Sequence, residues 1–396
     1  MSTDAARTTP QQAGYIPALD GVRTIAVLLV MYFHFWQQNW LQPFLLRLGF
    51  VEIDTYPFAS AGFLGVELLF VISGFLLYLP VAHQDRLDIR AFYRKRVIRI
   101  VPSYWLCVLV CACFAWEKFA TPGAWAGYTL QNMAFLNMFR RELIFNEINS
   151  VLWSMSVEVW FYILFPLVAW LFRRKPGVTT LLCFAVAWVY RSWVLQAHGH
   201  ELVLYMNQLP GMLDCFVGGM FAAHVAARLR QANNTGMNWG AVSVLGLLGL
   251  WFFLWLLNYQ RGSSQGVQYY QIVCRPVIVM VCMLAVGGAA LAGPVYQKVL
   301  GGRGFRFLSM ISYNLYLWHQ WLAVKLKAWR IPNWQGVVAT DDKVWQWQHM
   351  GLSIAVAVGV AVLVTFAFDR PVTRWLRNRM DRPRLHINKN EANEVR

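Results

Sequence analysis

Eight ionisable side chains of this sequence interrupt long apolar runs: Arg23, His34, Glu67, Glu158, Arg191, Asp214, Arg275 and His319. Two more, Arg96 and Arg99, stand where one such run begins. A charge in the middle of a bilayer costs about 2.5–3.5 kcal/mol even on the lenient insertion scale, so each of these residues asks for a reason. Carboxylates and imidazoles in such places are the groups of general acid–base chemistry or of a proton path. Arg23 and His34 are eleven positions apart, which on a helix is three turns plus about 20°, so they share a face roughly 16 Å apart in height. Ser312, Tyr316 and His319 follow at i, i+4 and i+7 and also share a face. Arg96 and Arg99 are i and i+3, close enough to grip one anion together. Each feature also has a plainer reading: a snorkelling arginine, an interfacial histidine, a basic anchor at a helix mouth. Arg191, Asp214 and Arg275 read best as a buried structural ion network.

The elements that carry these residues must be membrane helices. Of the 396 residues 58% are apolar and only 14% charged, while the net charge is +16. A soluble domain carries about 25% charged residues, so this chain cannot coat a water-facing surface. Its basic residues sit in short clusters between apolar runs, which excludes a nucleic-acid binder, a disordered chain and a disulfide scaffold. The seven cysteines lie in apolar stretches and read as small buried side chains, and no pair of them has metal-ligand or redox spacing. The expected fold is all-α, a polytopic transmembrane helix bundle of about ten spans: 18–36, 60–80, 99–116, 151–172, 178–197, 208–228, 239–257, 269–292, 306–326 and 348–369. With that count, 24 of the 35 lysines and arginines fall on the side that holds both termini, which makes that side cytoplasmic.

A disordered cytoplasmic N-terminus over 1–16, a membrane domain over 17–372 and a basic cytoplasmic tail over 373–396 follow, with no signal peptide and the tail lying on the anionic lipid leaflet. The polar, aromatic segments 37–59 and 117–150 read as an interfacial belt or as a cover over an outward-facing site. Counted along their spans, His34, Glu67, Glu158 and His319 all fall in the outer half of the membrane.

Five segments make the sequence resemble the acyltransferase-3 family of integral membrane O-acyltransferases. Leu19-Asp20-Gly21-Val22-Arg23 with His34 looks like its first-span signature, and residues 65–76, with Glu67, Ser73 and Gly74, like its second-span motif. Arg96 and Arg99 before Pro102 are similar to its cytoplasmic arginine pair. Trp153, Ser154, Glu158, Phe161 and Tyr162 resemble its fourth-span motif, and Ser312 to His319 its late one. The chain departs from the common pattern in having Glu67 for Asp, and Asp369-Arg370-Pro371 for Glu-Arg-Pro; both departures keep the carboxylate. The soluble esterase-like domain of some relatives is not expected.

The resemblance implies transfer of an acyl group, usually acetyl, from cytoplasmic acyl-coenzyme A (acyl-CoA) to a hydroxyl met near the outer side. The donor is a substrate, and no tightly bound cofactor or metal is expected. Under this reading Arg96 and Arg99 hold coenzyme A phosphates, and His34 is the base or a transient acyl carrier. Glu158 or Glu67 orients His34, and Arg23 meets the thioester carbonyl or a phosphate. Ser73 and Gly74 permit close helix approach, with Trp153, Tyr316 and His319 in support. The acceptor stays open among a glycan, a lipid-linked glycan and a macrolide-like product, as does the oligomeric state. From another class, a proton-coupled transporter of a small solute would also place carboxylates and histidines inside the membrane.

Overall fold

The computed structural model describes residues 15–49, 51–83, 87–144, 148–232 and 236–380. Among them, nine helical stretches are long and apolar enough to cross a bilayer. They are α1 (Ala18–Asn39), α2 (Tyr56–Tyr78), α3 (Ile89–Cys113), α4 (Leu152–Arg174), α5 (Pro176–Ala197), α6 (Leu202–Gln231), α7 (Trp239–Gly262), α8 (Gly266–Leu291) and, after the helix described next, α10 (Lys343–Met380). The helix α9 (Arg303–Ala328) is 26 residues long, but basic residues at both ends and a polar inner face make it less apolar. It packs between α1 and α10, and its Asn314, Tyr316 and His319 are buried, so protein rather than lipid surrounds its polar face. The ten expected spans are therefore all present as helices, nine of them apolar by composition alone.

The exterior explains why the apolar fraction is so high. Leu181, Leu182 and Val189 on α5, and Leu245, Leu248, Phe252 and Trp255 on α7, are exposed apolar side chains. Outward helix faces as apolar as these suit hydrocarbon, not water. Cys113 is exposed and Cys183 and Cys274 are half-buried, so only four of the seven cysteines are buried in the protein as expected. Helix starts are set locally: the Asp88 side chain accepts from the Ala91 N–H, Asn238 from Ala241, and Pro176 opens α5 where no N–H partner is needed.

The described chain begins and ends at one end of the bundle. There the N-terminus of α1 meets the start of α9, with Ser309 donating to Asp20 at 2.6 Å, and the start of α3 meets the end of α10, where Arg94 donates to the Met380 carbonyl at 3.3 Å. Of the expected basic tail, 373–380 is described and belongs to the largely exposed helix Arg370–Met380; 381–396 and 1–14 lie outside the described residues. At the opposite end sit an antiparallel hairpin, β1 (Leu45–Leu48) with β2 (Val51–Asp54), and the short helix Pro122–Met133.

Candidate functional site

Two cavities run into the bundle, and between them they hold every candidate residue except Gly74 and the buried His319. The first, about 330 Å³, is lined by Arg23 of α1, Ser73 of α2, Arg96 and Arg99 of α3, Ser154, Glu158 and Tyr162 of α4, and Ser312, Tyr313 and Tyr316 of α9. The second, about 380 Å³, is lined by His34 and Gln37 of α1, Glu67 of α2, Trp153 of α4, Arg261 of α7, Gln268 and Gln271 of α8, and Tyr316 and Gln320 of α9. Val66 and Tyr316 line both, so they form the wall between them. The Tyr316 hydroxyl and the Ser154 hydroxyl are 2.7 Å apart and hold that wall across α4 and α9.

The arginine cavity is cationic. Among the described residues none of Arg23, Arg96 and Arg99 has a carboxylate within ion-pair distance, although Glu158 lines the same space. Arg96 stacks over the Phe92 and Tyr162 rings at 5.6 and 5.5 Å, and its buried Nε has no acceptor. Glu158 is occupied on its own side of the wall: Ser73 donates to its Oε1 at 2.6 Å, and the Tyr162 hydroxyl bonds to the same oxygen. Three guanidinium groups in one cavity, with a donor left over, suit a multiply charged anion such as a polyphosphate.

The histidine cavity is arranged for proton transfer. His319 Nδ1 faces the carbonyl oxygens of Tyr316 at 2.8 Å and Leu315 at 3.2 Å. Carbonyls only accept, so Nδ1 carries the hydrogen, and the other nitrogen of the neutral ring, Nε2, accepts. That Nε2 lies 2.9 Å from His34 Nδ1, which is therefore the donor. The second nitrogen of His34 is left unprotonated in the cavity, as a base must be.

Several expectations change here. Neither Glu158 nor Glu67 bonds to His34; His319 holds that position. Glu158 shares its space with Arg23, Arg96 and Arg99 instead of joining His34, Glu67 and His319, because span depth does not reveal which side of the Tyr316 wall a side chain faces. Glu67 is the partner of Arg275, at 3.1 Å, and also accepts from Gln271 at 2.7 Å. The expected single network of Arg191, Asp214 and Arg275 is thus two separate pairs, Arg191 with Asp214 at 2.7 Å and Arg275 with Glu67. Ser73 is a cavity residue and not a helix-contact residue, whereas Gly74 does permit close approach: a methyl group there would overlap the Phe216 carbonyl of α6. Arg23 and His34 share a face of α1 but open to different cavities. Arg261 and Gln271 were missed as site residues; the i, i+4 spacing of Gln271 and Arg275 on α8 was a legible sign that both reach one partner.

The family described as an acyltransferase domain matches residues 16–370. The chain belongs to that family. Among relatives of this acyltransferase-family protein, O-acetyltransferase OatA of Staphylococcus aureus (strain NCTC 8325 / PS 47) is 23% identical over 333 residues, 77% of this chain and 50% of that protein. Putative peptidoglycan O-acetyltransferase YrhL of Bacillus subtilis (strain 168) is 30% identical over 78% of this chain and 49% of its own length. Putative acetyltransferase ORF330 of Acidianus two-tailed virus is 24% identical over 78% of this chain and 84% of its own. The acyltransferase-family chain spans about half the length of the two bacterial relatives. No solved structure matches it.

Proposed function

We propose that the protein is a membrane O-acyltransferase that moves an acyl group, acetyl by preference, from acyl-CoA to a hydroxyl of a cell-envelope or exported glycan. The observation that carries this reading is the pair of unlike cavities meeting at Tyr316 and Val66: three arginines without a carboxylate at ion-pair distance on one side, a histidine with one unprotonated nitrogen on the other. Arg96 and Arg99 line the arginine cavity near the start of α3, at the end of the bundle where the described chain begins and ends, and the excess of basic residues on that side supports a cytoplasmic placement. Arg23, Arg96 and Arg99 bind the phosphates of the donor, and its thioester arm runs to the wall. The names of the bacterial relatives, one of them a putative peptidoglycan O-acetyltransferase, support a glycan acceptor.

The acceptor hydroxyl enters the histidine cavity. Its oxygen attacks the thioester carbonyl carbon while its proton passes to His34. Collapse of the tetrahedral adduct breaks the carbon–sulfur bond, and the leaving thiolate takes the proton back, giving an ester and free coenzyme A. By accepting from His34 Nδ1, His319 leaves the other His34 nitrogen free to take that proton and hand it on, the role an orienting group plays beside a catalytic histidine.

The test is incubation of the purified protein in detergent with acetyl-CoA. Thiol release above the rate of spontaneous hydrolysis, lost in His34→Ala, is the expected result. A protein that leaves acetyl-CoA intact while carrying a solute across proteoliposomes would replace this reading with a transporter. Mass spectrometry of surface glycans with and without the gene identifies the acceptor by the acyl increment it loses.

A further inference from the structure

Glu67 and Arg261 are the two charged residues that line the histidine cavity, and their charges are used differently. Glu67 is fully buried and already compensated by Arg275, itself held by the Met206 carbonyl at 2.8 Å. Arg261, next to last in α7, has no carboxylate partner among the described residues. Its Nη2 donates to the Ser60 carbonyl, and the guanidinium lies 5.7 Å from the Trp36 ring. Those two contacts fix the group in place. They leave its Nε buried with no acceptor and one net positive charge over the cavity.

A buried donor without an acceptor and a charge without a counter-ion are both costly until a ligand supplies them. A guanidinium held from one side by a carbonyl and a ring face presents its remaining N–H groups to an oxyanion. We infer that the acceptor carries such an anion, a phosphate or a carboxylate, and that Arg261 binds it. This deepens the acceptor side of the reading above and rests on it. A bilayer phospholipid headgroup offers the same chemistry at that level of the helix. The sharing of one cavity by Arg261 and His34 favours the acceptor as its source.

Thermal unfolding in a phosphate-free maltoside detergent tests the assignment without any acyl donor, so its outcome does not depend on acyl transfer. The probes are N-acetylglucosamine 1-phosphate and neutral N-acetylglucosamine at matched ionic strength. A ligand that binds only the folded state raises the Tm. The phosphorylated probe is expected to raise the Tm of the wild type and of Arg96→Gln, and the neutral probe to move neither. Arg261→Gln should bind the phosphorylated probe at least about 10-fold more weakly. Arg261→Lys should keep part of the shift, which shows that the loss is not misfolding. Three outcomes with the probes alone overturn the inference. They are no shift in the wild type, a full shift surviving in Arg261→Gln, and a shift lost in Arg96→Gln, which would place the phosphate in the arginine cavity. Abolition of the wild-type shift by dioleoylphosphatidylglycerol would assign Arg261 to a lipid headgroup instead, and would also overturn it.

Discussion

His34 Nδ1 and His319 Nε2 lie 2.9 Å apart, joining residues 285 positions distant in the chain. Because two backbone carbonyls hold His319 Nδ1, the order of donors and acceptors along this chain has one direction, and it ends on an unprotonated His34 nitrogen. Loss of a general base costs about 10²–10⁴-fold in rate. His34→Ala is therefore expected to lower acetyl transfer by at least about 10²-fold while insertion and thermal stability stay near wild type. His319→Ala should lower kcat with little change in KM, since it touches neither substrate. In double-mutant cycles His34 and His319 should be strongly non-additive and His34 and Glu158 additive. Coupling between His34 and Glu158 would show that the Tyr316 wall does not divide the site.

The arginine cavity makes a separate prediction. Charge-assisted hydrogen bonds are worth about 1.5–3 kcal/mol, so removing Arg96 or Arg99 should raise the KM for acetyl-CoA by about 10–100-fold, with kcat less affected. Lysine at either position should recover part of the loss, because it keeps the charge without the planar fork. Initial rates over a range of acetyl-CoA concentrations check this. A change confined to the acceptor dependence would exchange the roles of the two cavities.

What the sequence disclosed and what it did not follow from range. Hydropathy and length located all ten helices, since a bilayer-spanning run of about 20 apolar residues is a local property. The Arg96–Arg99 pair was legible because i and i+3 share a face before any tertiary contact forms. Partner choice was not legible. Glu67 finds Arg275 at a separation of 208 positions, and only the packing of α2 against α8 decides that. Glu158 failed for another reason: height in the membrane is read from the helix count, but the side of the wall it faces depends on where α9 places Tyr316.

Glu67 and Arg275 are both fully buried, so their removal should register as lost stability. Breaking one partner of a buried pair costs about 3–5 kcal/mol, because the other charge is left without compensation. Glu67→Gln and Arg275→Met should each lower the Tm in detergent markedly. The double variant should be more stable than the two losses added together, since no orphaned charge remains. Thermal unfolding of the four proteins measures this. Wild-type stability in Glu67→Gln with abolished activity would return Glu67 to the chemistry.

The scaffold that brings Ser73 to the arginine cavity depends on two glycines. Gly74 on α2 and Gly219 on α6 face each other's helix so closely that a methyl group on either would overlap a backbone carbonyl, of Phe216 or of Val71. A backbone atom cannot rotate aside as a side chain would, so the helices must separate. Overpacking costs about 1–3 kcal/mol even where side chains adjust, and Gly74→Ala and Gly219→Ala should reach or exceed that. Gly127, where an added methyl group would meet no atom within 4 Å, gives the control: Gly127→Ala should be neutral or slightly stabilising in its helix. Because α2 also carries Ser73 of the arginine cavity, separation of α2 from α6 should also weaken acetyl-CoA binding. The yield of folded protein by size-exclusion chromatography and the KM of what remains are the two readouts. A Gly74→Ala variant with wild-type yield and KM would show that the α2–α6 crossing is looser than this packing requires.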